Sequence, residues 1–143
     1  MALLNELAAA GTPRYSTAEG ANPAGENIAL VVGHQAVLYG GDGRNTDTAN
    51  AIYIMFFDAA TVAAVLAGAK PIICIGVPPA GSGATIANGN WGYSSGSSFG
   101  ERFKLGIVVA ASSTDANVGY TAIATNKTTF HVQYASEDGL SSS

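Results

Sequence analysis

The chain has 143 residues, which by length predicts one domain, and it is 48% hydrophobic but only 11% charged, with a formal net charge of −4. A soluble domain usually carries roughly 25% charged residues, and a chain with only six Lys and Arg can release few counterions from a phosphate backbone, so direct nucleic-acid binding is not expected. The chain contains no run of about 18 apolar residues that would predict a membrane span. Its first residues do not resemble a secretion signal, so we expect synthesis in a cytoplasm.

Residues 1–27 are rich in Ala, Gly, Pro and Thr and carry little periodicity. Leu3, Leu4 and Leu7 would share a face of a short helical turn, but such a segment is too short to be stable alone. We predict an extended N-terminal arm that is ordered only where it lies on a partner or on the body of the protein. A frayed terminus explains the same residues.

The body of the protein begins with two short β-branched segments. Residues 28–32 and 35–39 predict strands, and Gly33-His34 between them predicts a bulge or a corner. Residues 40–50, GGDGRNTDTAN, predict a polar connection, because Asp42-Gly43 is a strong turn dipeptide.

The strongest strand signals are residues 51–58, AIYIMFFD, and residues 70–77, KPIICIGV. Ile52, Ile54 and Phe56 fall on one face of the first segment, and apolar residues also occupy the other face. A second sheet can cover one face, and we expect a loop, an arm or a neighbouring subunit to cover the other. Residues 59–69 between the two segments predict a short helix with Asp58 as its N-cap, or a loop.

The second half of the chain alternates glycine-rich loops with strands. Residues 81–100 predict a long loop, residues 102–111 a strand with Phe103, Leu105, Ile107 and Val109 on one face, and residues 114–119 a turn. Residues 120–124 predict a further short strand. Residues 128–135 alternate between apolar and polar residues. Phe130, Val132 and Tyr134 are predicted to face inward and His131 outward, as in a sheet with one face exposed to solvent.

About seven or eight short strands separated by glycine-rich turns predict an all-β fold, a β-sandwich of jelly-roll type. Its boundaries are an arm at residues 1–27, a sandwich domain at residues 28–135 and a flexible tail at residues 136–143. Cys74 lies between two isoleucines and is interpreted as a small buried hydrophobic residue rather than a reactive thiol.

The sequence gives no sign of catalysis, and we predict a protein that is not an enzyme and needs no cofactor. It contains no G-x-S-x-G motif and no paired glutamates. Zinc would need three or four ligands, and the chain has one cysteine and two histidines far apart. Asp42, Asn45 and Asp47 could bind Ca²⁺, but their spacing departs from the EF-hand pattern, and turn geometry explains them as well.

Trp91 and Tyr93 in the predicted long loop are the best candidates for recognition, because exposed loop aromatics are frequent binding anchors. The alternative is that Trp91 closes one end of the sandwich or fills a subunit interface. With Leu3, Leu4, Leu7 and Tyr15 of the arm, these two aromatic residues are the predicted partner-binding residues.

The order of segments between residues 36 and 134 resembles that of small β-sandwich virion accessory proteins of tailed bacteriophages. The resemblance lies in a strand ending in an aromatic residue and an aspartate, a proline-led strand closed by a Val-Pro motif, a glycine-rich loop, a G-x-x-F-x-x-G-I strand and a last strand ending in tyrosine. These motifs read IMFFDAAT (54–61), KPI (70–72), VPPAG (77–81), GERFKLGI (100–107) and VQY (132–134).

The resemblance implies a capsid decoration or cement protein, often a trimer, that bridges neighbouring major capsid subunits on the surface of the virion. Its partners would be the major capsid protein and further copies of itself, with no direct contact to nucleic acid or membrane. The alternative is a tail, fibre or vertex protein that binds a glycan of the host surface through residues 88–98.

Overall fold

The structure, a computed structural model, describes the backbone of residues 14–17 and all of residues 27–80, 89–96, 100–123 and 128–136. These residues form one short helix, α1 (Val62–Leu66), and nine strands: β1 (Arg14–Thr17), β2 (Ile28–Val32), β3 (Ala36–Asn45), β4 (Ile52–Asp58), β5 (Ile73–Val77), β6 (Asn90–Ser94), β7 (Glu101–Phe103), β8 (Ile107–Ser112) and β9 (Thr128–Ser136). No helix among the described residues is long and apolar enough to cross a membrane.

The strands form two antiparallel sheets with the strand order of a jelly roll. The β3 sheet has the order β1-β9-β3-β6, with β7 also paired to β3, and the β4 sheet has the order β2-β8-β4-β5. The pairs β1·β9, β2·β8, β3·β6 and β4·β5 are nested in the chain, as in one long hairpin. Rolling that hairpin places β9 beside β3 and β8 beside β4. The predicted all-β sandwich of jelly-roll type is therefore confirmed.

The core lies between the two sheets and follows the predicted alternation. Ile52, Ile54 and Phe56 of β4 are buried between the two sheets, in one cluster with Phe130 and Val132 of β9. Tyr134 packs against the same cluster, while His131 is exposed. The inward faces predicted for these two strands are confirmed, because side chains of a strand alternate between its faces.

The second face of β4 is covered from within the chain. Met55 and Phe57 are fully buried in a separate cluster with Val65 of α1, and Tyr120 packs against this cluster from the loop after β8. From the sequence we expected a loop, an arm or a neighbouring subunit to cover this face. A helix and a loop of the same chain supply it in the described part of the structure.

Two of the connections between the sheets meet at the end of β4. Residues 33–35 carry the chain from β2 to β3, which confirms the predicted corner, and Lys104, Leu105 and Gly106 carry it from β7 to β8. A Cβ atom on Gly106 would lie 2.5 Å from the carbonyl oxygen of Val32, so only glycine allows the two crossings to pack this closely.

Two predictions are wrong at this corner. Residues 102–111 are not one strand but belong to β7 and β8, and Leu105 is exposed rather than part of an apolar face. Asp58 is not the N-cap of α1, whose cap is Thr61. The Asp58 carboxylate instead accepts hydrogen bonds from the backbone N–H groups of Lys104 (3.2 Å) and Leu105 (2.7 Å), and these hold the crossing against β4.

Residues 40–45 continue strand β3, although the sequence predicted a polar connection there. They pair with β6 on one side and β9 on the other. Asp42-Gly43 is a turn signal by local preference, but two neighbouring strands satisfy the backbone here. Tertiary pairing therefore overrides the turn signal.

Predictions near the chain ends and loops have mixed outcomes. Part of the predicted arm, β1, lies on the body by pairing with β9. Tail residues 137–143 lie outside the described residues, and residue 136 ends β9. The turn at 114–119 is confirmed, since the Asp115 carbonyl accepts from the N–H groups of Val118 and Gly119. Residues 120–123 form no strand, and residue 124 is outside the described part.

Candidate functional site

The predicted recognition aromatic Trp91 is a core residue. It lies in strand β6, not in a loop, and only 6% of its surface is exposed. Its indole packs edge-on against Phe56 and Phe130, with ring centroids 6.2 and 6.4 Å away. The idea of an exposed tryptophan on a long loop is wrong, because residues 90–94 pair with β3 and turn this side chain inward.

Tyr93 lies two residues further on the same strand and on the same inward face. It is half-buried, and its ring centroid is 5.9 Å from that of Phe56. Burial, and then the charge of Glu101, raise the pKa of its hydroxyl. Tyr93 thus closes the side of the core and presents only part of its ring to solvent.

The remaining predicted partner-binding residues belong to the arm. Leu3, Leu4 and Leu7 lie outside the described residues. Tyr15 lies in β1, where its backbone is opposite Val132 of β9. The structure therefore does not bring the arm residues and the two aromatic residues of β6 together as a described site.

Buried polar side chains gather at one end of the sandwich, which we call the polar end and define by Asn27, Asn45, Ser112 and Thr128. All four are fully buried. Thr128 Oγ1 donates to Asn27 Oδ1 (2.8 Å), and the Ala111 N–H donates to the Asn27 carbonyl (2.7 Å). Because Asn27 precedes β2 and Thr128 begins β9, the bond between their side chains ties the two sheets together at this end.

The β3–β4 loop at the polar end is built on Asn45 and Asp47. Asn45 Nδ2 donates to the carbonyls of Asn50 and Pro78, and its Oδ1 accepts from the Asp47 N–H. Asp47 Oδ1 accepts from the N–H groups of Ala49 and Asn50. Asn45 and Asp47, which were considered as Ca²⁺ ligands, therefore serve turn geometry. The third candidate, Asp42, lies on β3 and faces His131.

The loop after β8 is closed by hydroxyl groups. Ser112 Oγ accepts from the N–H groups of Thr114 (3.1 Å) and Thr121 (2.9 Å), and Thr114 Oγ1 donates to Thr121 Oγ1 (2.7 Å). The loop therefore returns to the end of the sandwich within a few residues and brings Ile123 against the inner core.

A cleft of about 340 Å³ lies between these two loops. Its apolar side is formed by Ile52, which is buried, and Ile123, which is half-buried. The other described lining residues are Asp47, Asn50, Ala51 and Ser113. Sequence reasoning missed this cleft, because its two loops are far apart in the chain and only the fold brings them together.

Outside the cleft, His131 and Cys74 are the side chains with the most potential for chemistry. His131 Nδ1 lies 3.1 Å from Asp42 Oδ1, with both side chains more than half exposed, and such surface pairs contribute little to stability. Cys74 is half-buried against the outer cluster. Burial raises the pKa of its thiol, a hydrogen bond with the Ala116 backbone lowers it, and the charge of Asp115 raises it.

Among the described residues, most of the large exposed apolar side chains lie on the outer side of the β4 sheet. We call Leu30, Leu66, Ile72 and Val118 the outer apolar layer; they are 39%, 50%, 49% and 64% exposed. Alternation from buried neighbours places Leu30 and Ile72 on this side. Leu66 ends α1, and Val118 lies in the turn whose carbonyl accepts from Lys70.

Within the described ranges, no three His, Cys, Asp or Glu side chains come together in a group that could hold a metal ion. Comparison of the chain with protein-family models, with curated proteins and with solved structures gives no match.

Proposed function

We propose that this chain is a structural protein of a tailed-bacteriophage virion, a decoration or cement protein that binds the capsid surface and stabilises neighbouring major capsid subunits without catalysis. It would be made in the host cytoplasm, bind the major capsid protein and associate with copies of itself, as a trimer. Its action would not require direct contact with nucleic acid or membrane.

The outer apolar layer is the observation that carries this proposal. In a chain with so few charges, large exposed side chains on one side of a sheet fit a surface that is buried on assembly, since the centres of stable interfaces are apolar and poor in charge. The jelly-roll order is compatible, because this architecture recurs in viral capsid and lectin domains. Fold alone does not assign function, so the proposal depends on this surface and on the motif resemblance.

The sequence motivated the same proposal differently, through the second apolar face of β4. That face is sealed by α1 and the loop carrying Tyr120, so it does not supply the contact. We place the contact one layer further out, on the cover itself. The arm before β1 would add a second contact to a neighbour.

Stabilisation would follow from mass action. A protein that binds the assembled shell but not its separated subunits lowers the free energy of the assembled state and leaves that of the separated subunits unchanged. The many copies on one particle would each add such a contact, and no chemical step is needed.

Substituting Leu66 tests the contact surface directly. Leu66→Glu places a charge in the outer apolar layer, and we expect binding to particles that lack the protein to weaken about tenfold, as for a residue contributing about 1.4 kcal/mol. Leu105→Glu is the matched control, because Leu105 is also exposed, at 58%, but lies at the corner between β7 and β8. Binding is measured by co-sedimentation, and particle stability by the temperature of genome release.

We expect wild type and Leu105→Glu to bind and to raise the release temperature, and Leu66→Glu to do so only at higher concentration. A wild-type protein that neither sediments with particles nor changes their release temperature would contradict the proposed function. Equal binding of both variants would contradict the contact surface alone.

A further inference from the structure

We infer that the cleft at the polar end is a binding site for a neutral sugar ring. This inference goes beyond the proposed function and does not depend on it. It also differs from glycan binding through residues 88–98, because the buried Trp91 cannot serve there as an exposed stacking platform.

The size of the cleft suits a small ligand. Ligand pockets are usually about 300 to 1,000 Å³, mostly apolar, with a few placed polar groups. The volume of about 340 Å³ is at the lower end of that range, which fits one or two sugar rings rather than a large cofactor or a folded partner.

The lining pairs an apolar surface with neutral hydrogen-bonding groups. The half-buried Ile123 supplies apolar surface for the C–H face of a sugar ring, whereas Ile52 is only 2% exposed and adds little. The exposed Asn50 also lines the cleft, and its amide oxygen accepts no hydrogen bond from a described residue. Ser113 offers a hydroxyl whose contact to the Thr121 carbonyl is long, at 3.5 Å.

The charges of the described lining residues indicate which class of ligand the cleft can bind. Asp47 is the charged member of the described lining, and no cationic side chain occurs there to balance a phosphate or a carboxylate. Asp47 is also a poor metal ligand, because its oxygens already accept from two backbone N–H groups and from the Asn50 amide. An uncharged polyhydroxyl ligand therefore fits the cleft better than an anion or a metal ion.

Asp47 and Asn50 hold their loop together, so substituting them could disturb the fold. Ala51 is a better test position, because its side chain is exposed and lines the cleft at the start of β4. Ala51→Trp should fill the cleft. Ala49→Trp is the matched control, because Ala49 is in the same loop and is also exposed but lies outside the described lining.

The experiment is a titration of the full ¹⁵N-labelled chain with glucose, galactose, mannose and N-acetylglucosamine, followed by amide chemical shifts. We expect saturable shifts at Asn50, Ile52, Ser113 and Ile123 with at least one sugar, and a Kd of about 1 mM, as suits so small a ligand. Ala49→Trp should bind the sugar as wild type does. Ala51→Trp should lose these shifts, while the rest of its spectrum remains that of the folded protein.

Three results would overturn the inference: no saturable shift with any of the four sugars, the same shifts in Ala51→Trp, or shifts confined to residues outside the cleft. The 6-phosphate of the best sugar tests the charge argument. We expect it to bind at least tenfold more weakly, and equal or tighter binding would overturn the assignment to a neutral ligand.

Discussion

Gly43→Ala is expected to lower the free energy of unfolding by about 3 kcal/mol or more, at the upper end of overpacking effects. A Cβ atom at this position would overlap the backbone carbonyl of Thr129 and lie 2.6 Å from Nε1 of Trp91. The first contact is with the backbone of β9, so no change of rotamer can relieve it. Strand β3 would have to separate from β9 in the middle of its sheet.

Gly92→Ala is the matched control. Gly92 lies on β6 beside the same part of β3, opposite Asp42, and an added Cβ would meet nothing within 4 Å. We expect this change to stay within about 0.5 kcal/mol of wild type, as for surface positions in general. Urea unfolding of both variants measures the difference, and similar losses would contradict the register of β3 between β6 and β9.

Trp91→Ala is expected to lower the free energy of unfolding by about 3–5 kcal/mol, the usual loss for a large aromatic residue removed from a core. The indole contacts Phe56 of the β4 sheet and Phe130 of the β3 sheet, so its removal opens the space between them. Trp91→Phe should lose less, because it keeps most of the apolar contact and removes an indole N–H that has no hydrogen-bond partner.

Denaturation curves of the two variants and of wild type test this prediction. Trp91 is the only tryptophan in the chain, so wild-type fluorescence also reports its burial: emission should be blue-shifted and poorly quenched by acrylamide until the protein unfolds. Leu66→Ala, at a half-exposed side chain, is the control and should change stability little. If Trp91→Ala were as stable as wild type, and if the native emission of wild type were readily quenched, the ring would have to lie on the surface.

The sequence predicted best the strands whose own side-chain pattern decides their position. Apolar residues occupy both faces of β4, and both are buried as the alternation requires. Strand β9 alternates apolar and polar residues, so its inward and outward faces could be read directly. Glycine-rich spacing then indicated a sandwich, although the nested pairing that makes it a jelly roll depends on contacts between distant segments.

The errors occur where long-range pairing overrides a local signal. The Gly-Gly-Asp-Gly run of β3 has the composition of a turn, but β6 and β9 pair with it on both sides. Residues 102–111 look like one strand, yet the chain changes sheets at Gly106, where no Cβ fits. Local preference carries no information about either partner strand.

The candidate site was harder to predict than the fold. The aromatic residues of β6 were the conspicuous residues in a loop-like composition, and their inward position follows from a strand that the sequence did not indicate. The cleft combines Asn50 with Ser113 and Ile123, residues that are unremarkable singly. A polar loop next to a strong strand was its one local signal, and the meeting of the two loops is a property of the fold.

The measurement that tests the central proposal most directly is the number of copies of this chain in purified phage particles, by quantitative mass spectrometry against the major capsid protein. A decoration protein that bridges capsid subunits must be present in numbers comparable to those subunits, and we predict a copy number on the order of hundreds, since each shell contact that it stabilises needs its own copy. A handful of copies would contradict capsid decoration and favour a tail or vertex position, and absence from the particle would contradict a virion role altogether.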